Sequence, residues 1–149
     1  MRAQFALMVA LAPIALLGCG SDEPTDANVI PIEGRWSFAA EMSGGGQSCS
    51  QTATSLVIQR DGSTFSGTIT GGVWSCTDGV NTNDIDLNDS TLNVQNGGID
   101  GQAISFDILG TEGGSASLTG TAGVSMMSGT GSWRSGSGTL NGTWTATRQ

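Results

Sequence analysis

Apolar and polar residues alternate with a period of two along most of the chain beyond residue 32. The clearest apolar phases are Trp36, Phe38, Ala40 and Met42, then Ile104, Phe106 and Ile108, and finally Leu140, Gly142, Trp144 and Ala146. Successive side chains of a strand point to opposite faces of a sheet. This period therefore predicts strands with one buried face and one solvated face.

About eight such segments follow one another, and none after the first 18 residues has a sustained helical period. They are 34–42, 54–60, 64–71, 84–94, 102–110, 115–122, 125–133 and 138–148. The links between the later segments are short, which favours an up-and-down meander. An eight-stranded meander without covering helices removes its free edges best by closing on itself. We therefore predict an all-β domain over 32–149, an antiparallel up-and-down barrel of about eight strands.

A short motif recurs along these segments, an apolar residue followed two positions later by Gly. Its clearest copies begin at Phe65, Leu118, Met127 and Leu140, and the chain holds 24 Gly in all. The motif places Gly on the inward phase, where a strand bends sharply or another backbone approaches closely. The alternative is a simple Gly bias of a secreted chain.

The first residues resemble a bacterial lipoprotein signal. Arg2 is followed by an apolar run over 5–17, which is too short for a helix that spans a bilayer. The run ends in Leu16-Leu17-Gly18-Cys19, which is similar to the lipobox. The resemblance implies a signal peptide over 1–18, cleavage before Cys19, and a lipid on the Cys19 thioether that supplies a membrane anchor, including palmitate. The alternative is an ordinary signal peptide with a fortuitous Cys.

Residues 19–31 are polar and acidic, and they contain Pro24 and Pro31. This composition predicts a flexible, lipidated tether between membrane and barrel. Gly20 stands where Asp favours inner-membrane retention in Gram-negative lipoproteins. The resemblance therefore favours a cell-envelope location at the outer membrane.

Two cysteines remain once Cys19 is assigned to lipid. An exported protein with one spare pair usually forms a disulfide, here between Cys49 and Cys76. Asp61-Gly62 suits a two-residue type I′ hairpin turn. That turn would leave Cys76 two positions from the residue opposite Cys49, a gap that one bulge closes. The alternatives are two free thiols or, with less support, a catalytic thiol pair, since the chain has no C-x-x-C.

Charge and composition exclude several functions. The 149 residues include 13 acidic residues, 5 basic residues and no His. Without His the chain cannot form a Ser-His-Asp or Cys-His site or a His-ligated metal centre. The scattered arginines cannot form a surface for nucleic acid, and the carboxylates of Glu33, Glu41, Asp107 and Glu112 are too dispersed to nominate a catalytic pair. We expect no enzyme and no cofactor.

The stretch 78–89 is the weak exception. Asp84, Asp86 and Asn88 offer oxygen ligands of the kind that Ca²⁺ prefers. However, Asp89 and Gln95 stand where the EF-hand pattern requires Gly and Glu. The favoured interpretation is a solvated loop whose side chains bond their own backbone.

Gly34-x-Trp36 on the first strand and Arg148 on the last resemble the barrel closure of the lipocalin-type (calycin) superfamily. The resemblance implies that Arg148 packs over the Trp36 ring as a cation–π lid. The resemblance supports the barrel architecture more than any activity, and the chain departs from classical lipocalins in being shorter and in showing no C-terminal helix. These three residues would close the barrel and would not contact a ligand.

The remaining aromatic residues suggest where a ligand would bind. Trp74 lies beside Cys76 without an obvious alternating partner, so its ring could line a barrel mouth, whereas Trp133 and Trp144 suit core or barrel-end packing. We name Trp74, Phe106 and Trp133 as candidate ligand residues. The leading hypothesis is an exported lipoprotein that binds a small apolar molecule. The alternatives are a protein-interaction or inhibitor barrel, or a structural envelope lipoprotein, with a filled interior.

Overall fold

The computed structural model describes residues 29–110, 113–136 and 138–149. Its strands are β1 (Gly34–Gly44), β2 (Gln47–Asp61), β3 (Thr64–Thr70), β4 (Val73–Thr77), β5 (Thr82–Asp86), β6 (Thr91–Asp100), β7 (Ala103–Leu109), β8 (Ser115–Ala122), β9 (Met126–Ser135) and β10 (Gly138–Arg148). The described part is all-β, and it contains no helix able to cross a membrane. The predicted signal peptide and Cys19 lie outside the described residues.

Eight of the strands form a closed antiparallel barrel, which confirms the predicted fold class. The hydrogen-bonded order is β1-β10-β9-β8-β7-β6-β3-β2, and β2 pairs with β1 to complete the ring. Neighbouring strands are mostly sequential, as the short links predicted. The ring leaves none of these eight strands with an unpaired edge along its whole length.

The β4–β5 hairpin was not predicted as such. The expected strand over 84–94 is two strands, separated at 87–90, and β4 lies in a stretch that was left out of the strands. Gly71 and Gly72 have φ values of +77° and +83°, so the chain turns sharply between β3 and β4. Leu87 makes backbone hydrogen bonds with both glycines. The break between β5 and β6 therefore lies beside the turn between β3 and β4. All five residues of β5 are exposed, so no apolar alternation marked this strand.

The β2–β3 turn differs by one position from the prediction. Asp61 pairs with Thr64, so Gly62 and Ser63 are the central residues. Gly62 has a φ of +60°, whereas Ser63 is not among the residues with positive φ. A turn with Gly at its first central position matches the II′ preference, whereas I′ needs positive φ at both positions. The shift brings Cys49 directly opposite Cys76, and no bulge is needed between them.

A bulge in β2 changes which residues face inward. Phe38 pairs with Thr54 but Ala40 pairs with Gln51, so β2 has one more residue than β1 in this interval. Because the side-chain period is two, the extra residue switches the inward phase of β2 from even to odd positions. Gln51 and Cys49 therefore face the interior, together with Ala40 and Met42.

An aromatic cluster fills the half of the barrel in which β1 begins. Phe38, Trp144, Phe106 and Phe65 form a chain of contacts with centroid distances of 6.2, 5.2 and 5.8 Å in turn. The close approach of strands here needs residues without a Cβ. A Cβ at Gly129, which pairs with Trp144, would collide with the backbone carbonyl of Thr119, which supports the predicted role of the inward glycines.

Candidate ligand-binding site

The two ends of the barrel differ because one is capped and the other is open. At the closed end, Arg148 lies over the Trp36 ring at 4.3 Å from Cζ to the ring centroid. Its Nε donates to the Val124 carbonyl at 2.9 Å, its Nη1 donates to the Glu33 carbonyl at 3.0 Å, and its Nη2 donates to the Pro31 carbonyl. The indole of Trp36 donates to the Ile32 carbonyl at 2.8 Å. One guanidinium therefore ties the chain entering the barrel to the β8–β9 link.

Gly34 belongs to the same cap. Its φ is +122°, and a Cβ would lie 3.2 Å from Arg148 Nη1. The residues named for barrel closure therefore meet at one place, and none of them lines the cavity described next.

A cavity of about 980 Å³ opens at the other end of the barrel. Its deep part is apolar, because inward side chains from β1, β7, β8 and β10 line it. These are Phe38, Ala40, Met42, Ile108, Ala116, Leu118 and Leu140. The small alanine side chains leave space in this half of the barrel, whereas aromatic rings fill the half at the capped end. A cavity of this size lies within the range of small-molecule sites.

Two tryptophans stand above this apolar floor. Trp74 comes from β4 and Trp133 from β9, and their ring centroids are 5.7 Å apart with a tilt of 37°. Both rings line the cavity. Trp133 packs against Gly110 and Gly114, where an added Cβ would crowd its ring. The glycines thus leave the space that the indole occupies at the mouth.

The β4–β5 hairpin carries Trp74 to this position and is fixed there covalently. Cys49 of β2 and Cys76 of β4 form a disulfide, as predicted. Both cysteines face the cavity. The bond therefore holds β4 on β2 at the mouth, two residues from the Trp74 ring.

Gln51 is a site residue that the sequence did not reveal. It is 4 % exposed and lines the cavity. Its Nε2 is buried and has no hydrogen-bond partner among the described residues. Buried side-chain polar atoms usually have a partner, because leaving one without costs about 1–3 kcal/mol. Only the β2 bulge turns Gln51 inward, and nothing in the local sequence marks that bulge.

Thr54, the other buried polar residue among those described, provides the contrast. Its Oγ1 donates to the Phe38 carbonyl at 2.7 Å, next to the bulge. Thr54 is therefore satisfied within the barrel wall, and Gln51 is not.

Phe106 lies below the cavity and does not line it. Its ring is 2 % exposed and packs between Phe65 and Trp144. Of the three candidate ligand residues, the structure brings Trp74 and Trp133 together and places Phe106 in the packed half.

The acidic stretch forms the rim of the mouth. The backbone N–H groups of Asn81 and Val80 donate to Asp78 Oδ1 at 2.7 and 2.8 Å and hold the pKa of Asp78 below its usual value. Ser75 Oγ donates to Asp84 Oδ1 at 2.5 Å, and Asn88 N donates to Asp86 Oδ1 at 2.8 Å.

The candidate Ca²⁺ ligands Asp84, Asp86 and Asn88 thus make local hydrogen bonds. Asn88 Oδ1 likewise accepts from Gly72 N at 3.3 Å. No group of three acidic, Cys or His residues suited to a metal occurs in the described segments. Asp78 and Asp86 bond nearby backbone N–H groups as the favoured interpretation expected, but Thr82–Asp86 form strand β5 and are not a loop.

Comparison with known proteins supports the architecture. No known family matches the sequence, and no curated protein matches it. Among solved structures, EF1p2_mFAP2b bound to DFHBI is similar, with a TM-score of 0.51 and 14 % sequence identity. The match covers 78 % of this chain and 93 % of that chain. At this identity the likeness shows the fold alone.

Proposed function

We propose that this protein is an exported, membrane-anchored lipoprotein whose barrel binds a small apolar molecule at its open end. The observation that carries the proposal is the cavity of about 980 Å³ with an apolar floor and a pair of tryptophans at its mouth. Aromatic rings offer large apolar contact area at little cost in conformational entropy, so they are frequent in binding sites. The solved neighbour also carries a small molecule, DFHBI, on a similar barrel.

The described chain enters the barrel at the end opposite the cavity. The chain enters at the closed end, where Arg148 contacts the carbonyls of Pro31 and Glu33. A tether that begins at Cys19 would join the barrel at the capped end, and we propose that the mouth faces away from the membrane surface. The acidic rim supports this orientation, because anionic headgroups repel it. The proposal gives the domain a binding role and no catalysis.

The alternative of a filled interior has less support. Only the half around Phe106 and Trp144 is packed, whereas the half around Ala40 and Ala116 encloses the cavity. A protein-docking role would need a contact surface. Among the described residues the most exposed large apolar side chain is Val80, 89 % exposed, at the tip of the β4–β5 hairpin. Val80 therefore provides a control that separates the two roles.

Binding is tested on the chain from Gly20 to Gln149, which contains all ten strands and the whole described core. The probe is N-phenyl-1-naphthylamine, a neutral dye that fluoresces in apolar surroundings. We expect saturable binding of one dye per chain. Trp74→Ala and Trp133→Ala should each weaken the dye affinity about tenfold, since a stacked aromatic pair adds about 0.5–1.5 kcal/mol beyond its area. Val80→Ala, on the same hairpin, should leave the affinity unchanged.

Two results would count against ligand binding. One is a dye signal that rises without saturation in the unmodified protein. The other is an affinity that Val80→Ala lowers as much as Trp74→Ala does. Either would direct the search to proteins captured from the cell envelope.

The anchor is tested separately by labelling bacteria that express the full chain with radioactive palmitate. We expect label on the unmodified protein, and its loss in Cys19→Ser. The double variant Cys49→Ser/Cys76→Ser is the matched control and should retain the label. Equal label on Cys19→Ser would refute the lipobox assignment.

A further inference from the structure

We infer that the cavity selects a planar aromatic molecule with a neutral hydrogen-bond acceptor, which takes a hydrogen bond from the side-chain amide of Gln51. This inference rests on the proposed binding function and specifies its ligand class. Ring ketones are the simplest members of that class. A fatty acyl chain, the usual expectation for an apolar barrel, is not a member.

The first step is the state of Gln51. Its amide nitrogen is buried and has no partner among the described residues, although the side chain lines the cavity. Thr54, on the same strand and equally buried, is fully used by the Phe38 carbonyl. A ligand with a hydrogen-bond acceptor can supply the partner that the barrel wall does not. A ligand without an acceptor leaves the amide unpaired, so the site binds it less tightly.

The second step is the position of the amide relative to the indoles. Gln51 is directly opposite Trp74 in the β2–β4 ladder, so both side chains project from the same face of the sheet. Trp74 in turn contacts Trp133 across the mouth. A flat ring that stacks on these indoles therefore lies beside the amide. An acyl chain gains no comparable stacking and has no atom along its length that accepts a hydrogen bond.

The third step is the charge around the cavity. Asp78 and Asp86 line the mouth, and none of the described residues that line it is an Arg. A carboxylate or sulfonate ligand would be repelled by these groups and would find no cation to pair with. The acceptor is therefore neutral, which excludes fatty acids on a second ground.

The test compares 9-fluorenone with fluorene, two planar molecules of nearly equal shape that differ by one carbonyl oxygen. Their dissociation constants are measured by equilibrium dialysis on the chain from Gly20 to Gln149. Gln51→Met removes the amide and keeps the length of the side chain. Gln59→Leu is the matched control, because Gln59 is an exposed residue of the same strand. Laurate is the acyl-chain probe.

We expect the ratio of the fluorene to the fluorenone dissociation constant to fall about tenfold in Gln51→Met, and to stay unchanged in Gln59→Leu. Laurate should bind more weakly than fluorenone. A direct readout is the side-chain NH₂ signal of Gln51 in a ¹⁵N–¹H spectrum, assigned by its loss in Gln51→Met. That signal should shift with fluorenone and much less with fluorene.

The outcomes separate this inference from the binding function itself. If neither aromatic probe nor laurate binds the unmodified protein, the binding function fails and the inference fails with it. If the probes bind but Gln51→Met leaves their ratio unchanged, or laurate binds best, the inference is wrong and the binding function stands. Gln51→Met replaces an unpartnered amide with an apolar side chain, so its thermal midpoint should be equal or higher. Gln51→Leu repeats the comparison if Gln51→Met does not fold.

Discussion

The closed and open halves of the barrel are built from the same alternating strands, yet one is filled and the other encloses a cavity. In the closed half the inward positions carry rings, and the indoles of Trp36 and Trp144 donate to the carbonyls of Ile32 and Thr119. In the open half the inward positions include Ala40 and Ala116, and Gln51 leaves an amide without a partner. Alternation thus builds the wall, while the size of the inward side chains decides whether the interior is a core or a site.

The largest expected effect comes from removing one aromatic ring from each half. Phe106→Ala should lower the free energy of unfolding by about 3–5 kcal/mol, because it opens a hole in a packed aromatic cluster. Trp133→Ala should cost much less stability, because its ring is only partly buried beside Trp74. Urea unfolding of both variants, followed by circular dichroism, makes the comparison. A larger loss for Trp133→Ala would mean that the mouth, and not the aromatic cluster, is the core.

The disulfide should have the next largest effect. Cys49→Ser/Cys76→Ser should lower the free energy of unfolding by about 2–4 kcal/mol, since the bond closes a long loop. It should also weaken dye binding, because β4 carries Trp74 on the wall that the bond holds. Urea unfolding and the dye titration measure the two effects. Full stability together with full affinity would show that backbone pairing alone holds the hairpin.

The cap of the closed end should contribute less. Arg148→Ala removes the contact with Trp36 and three hydrogen bonds to carbonyls. We expect a loss of about 1–2 kcal/mol, since these groups are partly solvated. Arg148→Lys should recover only part, because an ammonium lacks the planar fork. The cap is distant from the mouth, so neither variant should change the dye affinity, and a change would link the two ends.

The smallest effect concerns the rim. The backbone N–H groups of Asn81 and Val80 lower the pKa of Asp78 in the folded protein. A lowered pKa means that the contribution of this carboxylate to stability is present above the unfolded value and is lost as pH falls through the folded one. The amide signals of Val80 and Asn81 should therefore titrate together, with a midpoint below the ordinary pKa of an Asp side chain. A midpoint at or above that value would mean that the turn does not hold the carboxylate.

Some of the fold was predictable because it depends on local patterns. Alternation at period two located β1, β3, β7 and the later strands, and the spare cysteine pair led to the correct disulfide. The sequence did not predict the β4–β5 hairpin, because all of β5 is exposed. A strand without a buried face shows no alternation of apolar and polar residues. The turn register was off by one position because Asp61-Gly62 is a good hairpin signal and Gly62-Ser63 is another.

The candidate site was predictable only in part. Trp74 and Trp133 attracted attention as large rings, but their contact depends on two strands far apart in the chain. Phe106 has the inward position in the alternation that a cavity residue would also have. Only its depth in the barrel places it between Phe65 and Trp144. Period two tells which face a side chain is on and does not tell how far along the barrel axis it lies.

The sequence by itself indicated the all-β class, the meander and the pairing of Cys49 with Cys76, because period-two patterning and short links are local features and cysteine parity is a simple count. The tertiary structure alone decided that Gln51 faces inward. A single extra residue in β2 reverses the side-chain phase, and the energy that sets such a bulge comes from strand pairing around the closed ring. Closure of the ring thus decides which polar side chain faces the cavity, and no short stretch of the sequence carries that information.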